Sequence, residues 1–240
     1  MPYNFHLAYA DWRADAVRAA IEGVEGALPV GAWASWVLGN HDHPRFASPH
    51  RAGAAQAKVG MLLLLTLRGM PTIYYGDEIG MADVLINPAG ARDPLGRDPQ
   101  RTPMQWDPSP NAGFATPEAQ PWLPLAADAD RVNVAAQAED PDSLLTLTRR
   151  LLRLRKEHRV LRAGDFEPIG VTPDGTYGFR RVSTDGRLTV VLNLTDAPRS
   201  VPYAGPGRVL IGTDRDRESA PVGDVAELRP NEALVVGAHE

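Results

Sequence analysis

The stretch Trp36-Val37-Leu38-Gly39-Asn40-His41-Asp42-His43-Pro44-Arg45 decides how the rest of the chain is read. An apolar run stops at Gly39 and passes without a spacer to an amide, two imidazoles, a carboxylate and a guanidinium. A buried strand that delivers polar groups to a cleft has this form. So does a polar turn in which Asn40 and Asp42 only hydrogen-bond the local backbone. The surrounding elements decide between them.

Those elements alternate. Tyr3 to Tyr9 reads as a strand. Asp11 is placed to cap a helix from Trp12 to about Glu25, with Val17, Ile21 and Val24 on one face, and Gly26 and Pro29 end it. Ala32 to Leu38 is a second strand, leading into the polar stretch. A helix from about Gly53 to Arg68 carries a nearly continuous apolar run, Val59 to Leu65, and is expected to be buried all round. Gly69-Met70-Pro71 stops it, and Pro71 to Tyr75 is a third strand ending in the polar turn Gly76-Asp77-Glu78. Strand, helix, strand, helix, strand predicts a parallel β/α series.

From Ile79 to Asp140 the periodicity is lost among Pro, Gly, Asp and Arg. A loop of this length is a functional excursion or disorder. Met104, Trp106, Phe114, Trp122 and Leu123 give it apolar side chains to pack, which favours function. Asp140-Pro141 predicts the start of a helix from Asp142 to about His158, with Leu144, Leu147, Leu151 and Leu154 on one stripe. The opposite face, Arg149, Arg150, Arg153, Arg155 and Lys156, reads as a solvated surface whose last-turn cations suit the helix dipole. After Gly164 come short alternating runs: Thr176 to Ser183, Arg187 to Leu194, Arg208 to Gly212 and Glu232 to Val236. Asp185-Gly186 supplies a two-residue hairpin turn between the first two. Residues 164–240 are therefore expected to form an all-β, sandwich-like domain with a structural role, behind a β/α domain of residues 1–163.

The 240 residues are 43% hydrophobic, enough for a sizeable core. With a formal net charge of -5, nothing suggests a nucleic-acid or anionic-membrane partner, and none is expected. Absence of cysteine excludes disulfides, thiol catalysis and Cys-ligated metals. No metal-ligand pattern is present, and no metal or cofactor is expected. The longest apolar run, Val59 to Leu67, is too short to span a bilayer. With no signal-peptide pattern, the expected location is cytoplasmic.

Four stretches together resemble the C-terminal half of an α-glucosidase of the alpha-amylase superfamily, near the oligo-1,6-glucosidase group of retaining glycoside hydrolases. They are Trp36 to Arg45 (N-H-D-x-P-R), Gly69 to Met81 (G-x-P-x-I-Y-Y-G-D-E-I-G-M), Gly96 to Asp107 (G-R-D-x-x-R-T-P-M-Q-W-D) and Ser143 to His158 with its L-R-K-x-H ending. The resemblance implies a (β/α)8 barrel followed by a β-sandwich, with the site on loops after strand C-termini. It equates Tyr3 to Tyr9, Ala32 to Leu38 and Pro71 to Tyr75 with barrel strands six, seven and eight. The expected fold is thus a partial (β/α)8 TIM barrel, strands six to eight only, with an all-β C-terminal domain.

Retaining cleavage needs a nucleophile and a carboxylic acid roughly 5 to 5.5 Å apart, and this family adds a third carboxylate that stabilises the transition state. Asp42 matches that third carboxylate. His41 matches the imidazole that donates to hydroxyls of the same glucose, and Arg97 an arginine lining the cleft near the leaving group. Arg45 is placed either to hold a carboxylate by a bidentate pair at the substrate site or to serve structurally. Asp77 and Glu78 look like an acid/base pair, but neighbours on a strand end point apart.

The family's nucleophile and general acid belong to strands four and five, upstream of every match here. The chain is expected to be a truncated gene, a fragment or half of a split enzyme. Its expected partners are a missing N-terminal half and an oligosaccharide or α-glucoside substrate, such as malto- or isomalto-oligosaccharides. One alternative is a non-catalytic relative acting as a binding or structural subunit, against which His41, Asp42 and Arg97 stand intact. Another is a carbohydrate-binding module resting on Trp33, Trp36, Trp106 and Trp122, which read more simply as core residues.

Overall fold

The structure, a computed structural model, describes residues 3–171, 175–202 and 206–238. In chain order the elements are α1 (His6–Tyr9), α2 (Ala14–Ala27), β1 (Ser35–Val37), α3 (Ala54–Thr66), β2 (Met70–Thr72), α4 (Val134–Glu139), α5 (Leu144–Glu157) and α6 (Arg159–Ala163). Then come β3 (Asp165–Val171), β4 (Thr176–Ser183), β5 (Gly186–Asn193), β6 (Arg199–Pro202), β7 (Gly207–Gly212), β8 (Pro221–Val222), β9 (Val225–Leu228) and β10 (Ala233–Ala238). These fall into two compact units: Met1–Val37, Lys58–Thr72 and Arg149–Glu240 in the first, Leu38–Ala57 and Ile73–Thr148 in the second.

In the first unit β1 and β2 run parallel, with Ser35 opposite Met70 and Val37 opposite Thr72. On the other side of β1, Asn4 makes a parallel bridge to Trp36, and its N–H donates to the Ser35 carbonyl at 2.9 Å. Three parallel stretches therefore lie side by side with β1 in the middle. The strand expected over Tyr3 to Tyr9 is a correction: the bridge is confined to Asn4. Its side-chain oxygen accepts the His6 N–H at 2.9 Å, and that turn starts α1. Asp11 is not the cap of α2 either; Arg13 holds that place, with no side-chain cap. Val17 and Ile21, on the predicted face, are fully buried.

From Lys58 onward α3 is buried on every side, as its apolar run requires: Val59, Leu62, Leu63 and Leu64 are 0% exposed. Each such side chain contributes about 1.5–3 kcal/mol relative to exposure. A helix leaves its last carbonyls without intrahelical partners. Here arginines supply donors around that end. Arg155 donates to the carbonyls of Leu65, Leu67 and Gly69 at 2.9, 3.2 and 2.6 Å, and Arg181 donates to that of Thr66 at 2.7 Å. The Trp36 indole takes the Arg68 carbonyl at 2.6 Å. Arg155, expected on a solvated face, is therefore a structural cation. Gly69 sits at φ +118°, where an added Cβ would lie 2.3 Å from the Ala34 carbonyl oxygen. Only glycine lets α3 hand over to β2 this close to the chain before β1.

The β region of this unit is a six-stranded antiparallel sheet, β3-β4-β5-β10-β7-β8, with a β6-β9 pair as a separate sheet. Val191, Val209, Leu234 and Val236 from the larger sheet pack with Val201, Ala226 and Leu228 from the smaller one in a common core. The hairpin between β4 and β5 turns through residues 184–185, with Ser183 paired to Gly186 at its base, one residue earlier than expected. The second unit has short 3-10 turns instead of long elements: Asp77–Ile79, Pro88–Gly90, Asp98–Arg101 and Pro110–Gly113, followed by α4. Its core joins Ile79, Met81, Met104 and Leu145, with Val134 packed against them. Ser143, not Asp140, caps α5, its hydroxyl accepting the Thr146 N–H at 3.1 Å.

Candidate active site

Gly39 ends the apolar stretch, and residues 40–43 form a tight turn closed by an Asn40–His43 bridge. The Asn40 side chain accepts the Asp42 N–H at 2.8 Å, which fixes the carboxylate's direction. So the polar-turn reading is correct for Asn40, and Asp42 is left with its own side chain free for other work.

That work is shared with the loop 79–140. Asp42 Oδ1 accepts from Arg97 Nη1 at 2.8 Å and from Arg101 Nη2 at 2.9 Å. Arg101 also donates from Nε to the His41 carbonyl at 2.7 Å, so one guanidinium holds both the carboxylate and the backbone of the turn. Arg97 is held in turn by a two-pronged pair with Asp93, Nε to Oδ2 at 2.7 Å and Nη2 to Oδ1 at 2.9 Å. Asp98, buried, accepts the Arg92 and Asp93 N–H groups and so fixes the bend that carries Asp93. On the other side of Asp42, His41 Nε2 lies 3.4 Å from Oδ2.

The electrostatics follow from these contacts. Desolvation would raise the Asp42 carboxyl, but His41, Arg97 and Arg101 outweigh it and hold it below the usual carboxylate range. Hydrogen bonds from Arg97 put Asp93 far below that range, and Asp93 in return raises Arg97. Asp42 is therefore an anion with Oδ1 occupied and Oδ2 presented beside an imidazole. Its side chain is 40% exposed and that of His41 64%. An anion so placed can accept hydroxyls and face developing positive charge.

Arg45 has a different place. It is 0% exposed, with its guanidinium 4.8 and 4.6 Å from the ring centres of Tyr74 and Tyr75. It donates to the Tyr75 carbonyl at 2.6 Å and lies 4.0 Å from Asp77 Oδ1. Fully enclosed, it reaches no substrate, and its part is to brace the segment after β2. Asp77 and Glu78 do diverge: Asp77 is buried against Arg45, while Glu78 lines a groove with Arg101 and Thr102. Burial pushes the Asp77 carboxyl up to about 7 against the pull of Arg45, with Glu78 adding to the rise. Arg101 and Asp93 are the residues that sequence reasoning passed over. Arg101 lies inside a quoted motif, but its partner is 59 positions away and nothing local marks it. Among the described residues, no group of three or more His, Cys, Asp or Glu side chains is placed to hold a metal ion.

Residues 3–164 match the alpha-amylase family, catalytic domain. A salivary alpha-glucosidase of Anopheles gambiae is 37% identical over 219 residues, covering 85% of this chain and 36% of that protein. An oligo-1,6-glucosidase of Parageobacillus thermoglucosidasius is 31% identical over 195 residues, 68% of this chain and 34% of that protein. An amino acid transporter heavy chain of Rattus norvegicus is 37% identical over 166 residues, 69% of this chain and 24% of that protein. Among solved structures, the trehalulose synthase from Pseudomonas mesoacidophila MX-45 superposes with a TM-score of 0.86 at 27% identity, over 97% of this chain and 50% of that one. The chain spans about a third of the length of the curated relatives it matches. With parallel strand pairing, a polar turn behind the middle strand, an antiparallel β region to follow and a match over residues 3–164, the chain belongs to the alpha-amylase family.

Proposed function

We propose that this chain supplies the transition-state-stabilising part of an α-glucosidase-type, retaining glycoside hydrolase acting on α-linked glucosides such as malto- or isomalto-oligosaccharides. The observation that carries this is the Asp42 carboxylate, held ionised by Arg97 and Arg101 on one oxygen, with the other presented next to His41. In such a reaction positive charge grows on the sugar ring as the glycosidic bond breaks. Asp42 Oδ2 and His41 would take hydroxyls of the reacting glucose, and the fixed anion would favour the oxocarbenium-like state over the ground state. On this reading residues 1–163 are barrel strands six to eight with their loops, and residues 164–240 the sandwich. The nucleophile and general acid come from an N-terminal half, and the location is cytoplasmic. The likeness to a transporter heavy chain supports a second reading, a non-catalytic binding or structural subunit.

One variant separates them. In an enzyme restored by joining this chain to the N-terminal half of a related α-glucosidase, Asp42→Asn should lower kcat by about two orders of magnitude or more, with KM much less changed. A restored protein that never turns over favours the second reading, and an Asp42→Asn variant with ordinary kcat removes Asp42 from the chemistry.

A further inference from the structure

The loop 79–140 leaves its aromatic side chains largely in the open, against the expectation that they are core residues: Trp106, Phe114 and Trp122 are 49%, 50% and 61% exposed, while Met104 and Leu123 are buried. Between residues 93 and 101 the loop is ordered by charge instead. Asp93, Arg97 and Arg101 are spaced four apart. Gly96, at φ +71°, turns the chain so that its own N–H donates to the Asp93 carbonyl at 3.0 Å and the Arg97 N–H to Asp93 Oδ2 at 2.9 Å. Residues 98–101 then make one 3-10 turn, and the arginines at its two ends reach the same carboxylate, Asp42.

The four side chains close a ring of alternating charge. Asp42 Oδ1 takes Arg97 at 2.8 Å and Arg101 at 2.9 Å, while Asp93 Oδ2 takes Arg97 Nε at 2.7 Å and lies 4.0 Å from Arg101 Nη1. The two carboxylates differ in place. The Asp93 side chain is 9% exposed and that of Asp42 40%, so Asp93 lies behind the arginines and Asp42 in front of them. Two guanidinium groups on one carboxylate would leave that spot positive. Asp93 brings the ring to neutrality.

Arginine and carboxylate commonly pair through two parallel hydrogen bonds. Arg97 pairs in this way with Asp93, through Nε and Nη2. That edge of the guanidinium is therefore occupied, and only Nη1 reaches Asp42. Released from Asp93, the same edge could turn to Asp42 and take both of its oxygens, including Oδ2, the one beside His41. An uncompensated cation there would also oppose the positive charge that grows on a glucoside as its bond breaks.

We infer that Asp93 is a positioning residue for the proposed reaction: by occupying one edge of Arg97 and balancing its charge, it keeps Asp42 Oδ2 open and the site negative toward the sugar. Enclosed behind Arg97, it acts through that residue. The inference rests on the α-glucoside reading for the use made of Oδ2, and not for the arrangement itself.

The test titrates Asp42 in the 240-residue chain by carbon NMR of the side-chain carboxyls, its resonance identified by its loss in Asp42→Asn. Asp93→Asn keeps the shape and removes the charge. The Asp42 midpoint should then fall by about half a pH unit or more, because Arg97 gains a freer hold on it. A merely structural Asp93 gives the opposite sign, since the bend loosens, Arg97 withdraws and the midpoint rises. A rise, or no change, overturns the inference. Asp93→Glu, which restores the charge, should bring the midpoint back toward that of the unaltered chain; a Glu variant that titrates like the Asn variant counts against charge as the cause. In an Arg97→Ala background, Asp93→Asn should shift the midpoint much less. An equal shift there would show that Asp93 acts on Asp42 directly and would overturn its role through Arg97. In the restored enzyme, Asp93→Asn should lower kcat about tenfold with KM changed less than about twofold, and an unaltered kcat overturns the positioning role. A restored enzyme that never hydrolyses a glucoside counts against the proposed function and leaves the Asp42 titration standing.

Discussion

Asp42 shows how a cluster of residues sets the state of one carboxylate. Desolvation favours the neutral acid, and His41, Arg97 and Arg101 together reverse that preference. Removing Arg101 should therefore raise the Asp42 pKa. In the restored enzyme, Arg101→Ala should move the acid limb of kcat/KM to higher pH and loosen the turn it holds at His41. An acid limb that stays in place would mean that His41 and Arg97 govern the charge without Arg101. Asp77 behaves in the opposite sense. Its carboxyl is pushed up to about 7 by burial, so between about 4 and 7 the folded chain holds a proton that the unfolded chain releases. This group then makes stability fall as pH rises through that window, by up to about 1.4 kcal/mol per pH unit. Asp77→Asn should flatten the dependence, measured as urea unfolding free energy from pH 5 to 8. An unchanged slope would show that Arg45 keeps Asp77 ionised.

Among the elements, the end of α3 carries the heaviest polar demand. Arg181 is buried and gives hydrogen bonds to the carbonyls of Thr66, Leu161 and Gly164 at 2.7, 3.0 and 2.8 Å, and burial pulls its pKa down to about 9. Arg181→Met keeps much of the bulk but strands those carbonyls at about 1–3 kcal/mol each. The variant should lose roughly 3 kcal/mol or more of unfolding free energy; a loss under about 1 kcal/mol would mean that water replaces the guanidinium. Gly69→Ala should also destabilise, because its methyl group would meet the Ala34 carbonyl. Much of this level was legible. The apolar runs of α3 and α5 and the parallel β/α order follow local periodicity; β4 and β5 are strands as expected, but their burial is nearly continuous instead of alternating. β3, β6, β8 and β9 were not legible: β3 shifts register between Pro168 and Gly170, and the others have four residues or fewer. Tyr3 to Tyr9 misled because its mixed pattern fits a strand, while the Asn4 side chain turns the backbone into α1. At the site, motifs pointed to His41, Asp42 and Arg97, but the roles of Arg101 and Asp93 arise from pairings that only the fold creates.

For the whole molecule, the first unit leaves an apolar face uncovered. Tyr3 and Tyr9 are each 58% exposed and Trp33 44%, and with Phe5 and Leu28 they line a cavity of about 1020 Å³. A patch of this kind marks an interaction surface. On the proposed reading, the preceding β/α unit of the family barrel covers it. The chain alone should self-associate in sedimentation velocity, and a co-expressed N-terminal half should suppress that.

The central claim is that this chain brings the stabilising carboxylate of an α-glucosidase and relies on other carboxylates for bond cleavage. It is tested most directly by hydrolysis of 4-nitrophenyl α-glucoside, measured for the purified chain alone and after co-expression with the N-terminal half of a related enzyme. The account predicts no turnover alone, and turnover on combination that Asp42→Asn abolishes. Hydrolysis by the purified monomeric chain alone would contradict it, and would return the search for a carboxylate pair to Asp42, Asp77 and Glu78.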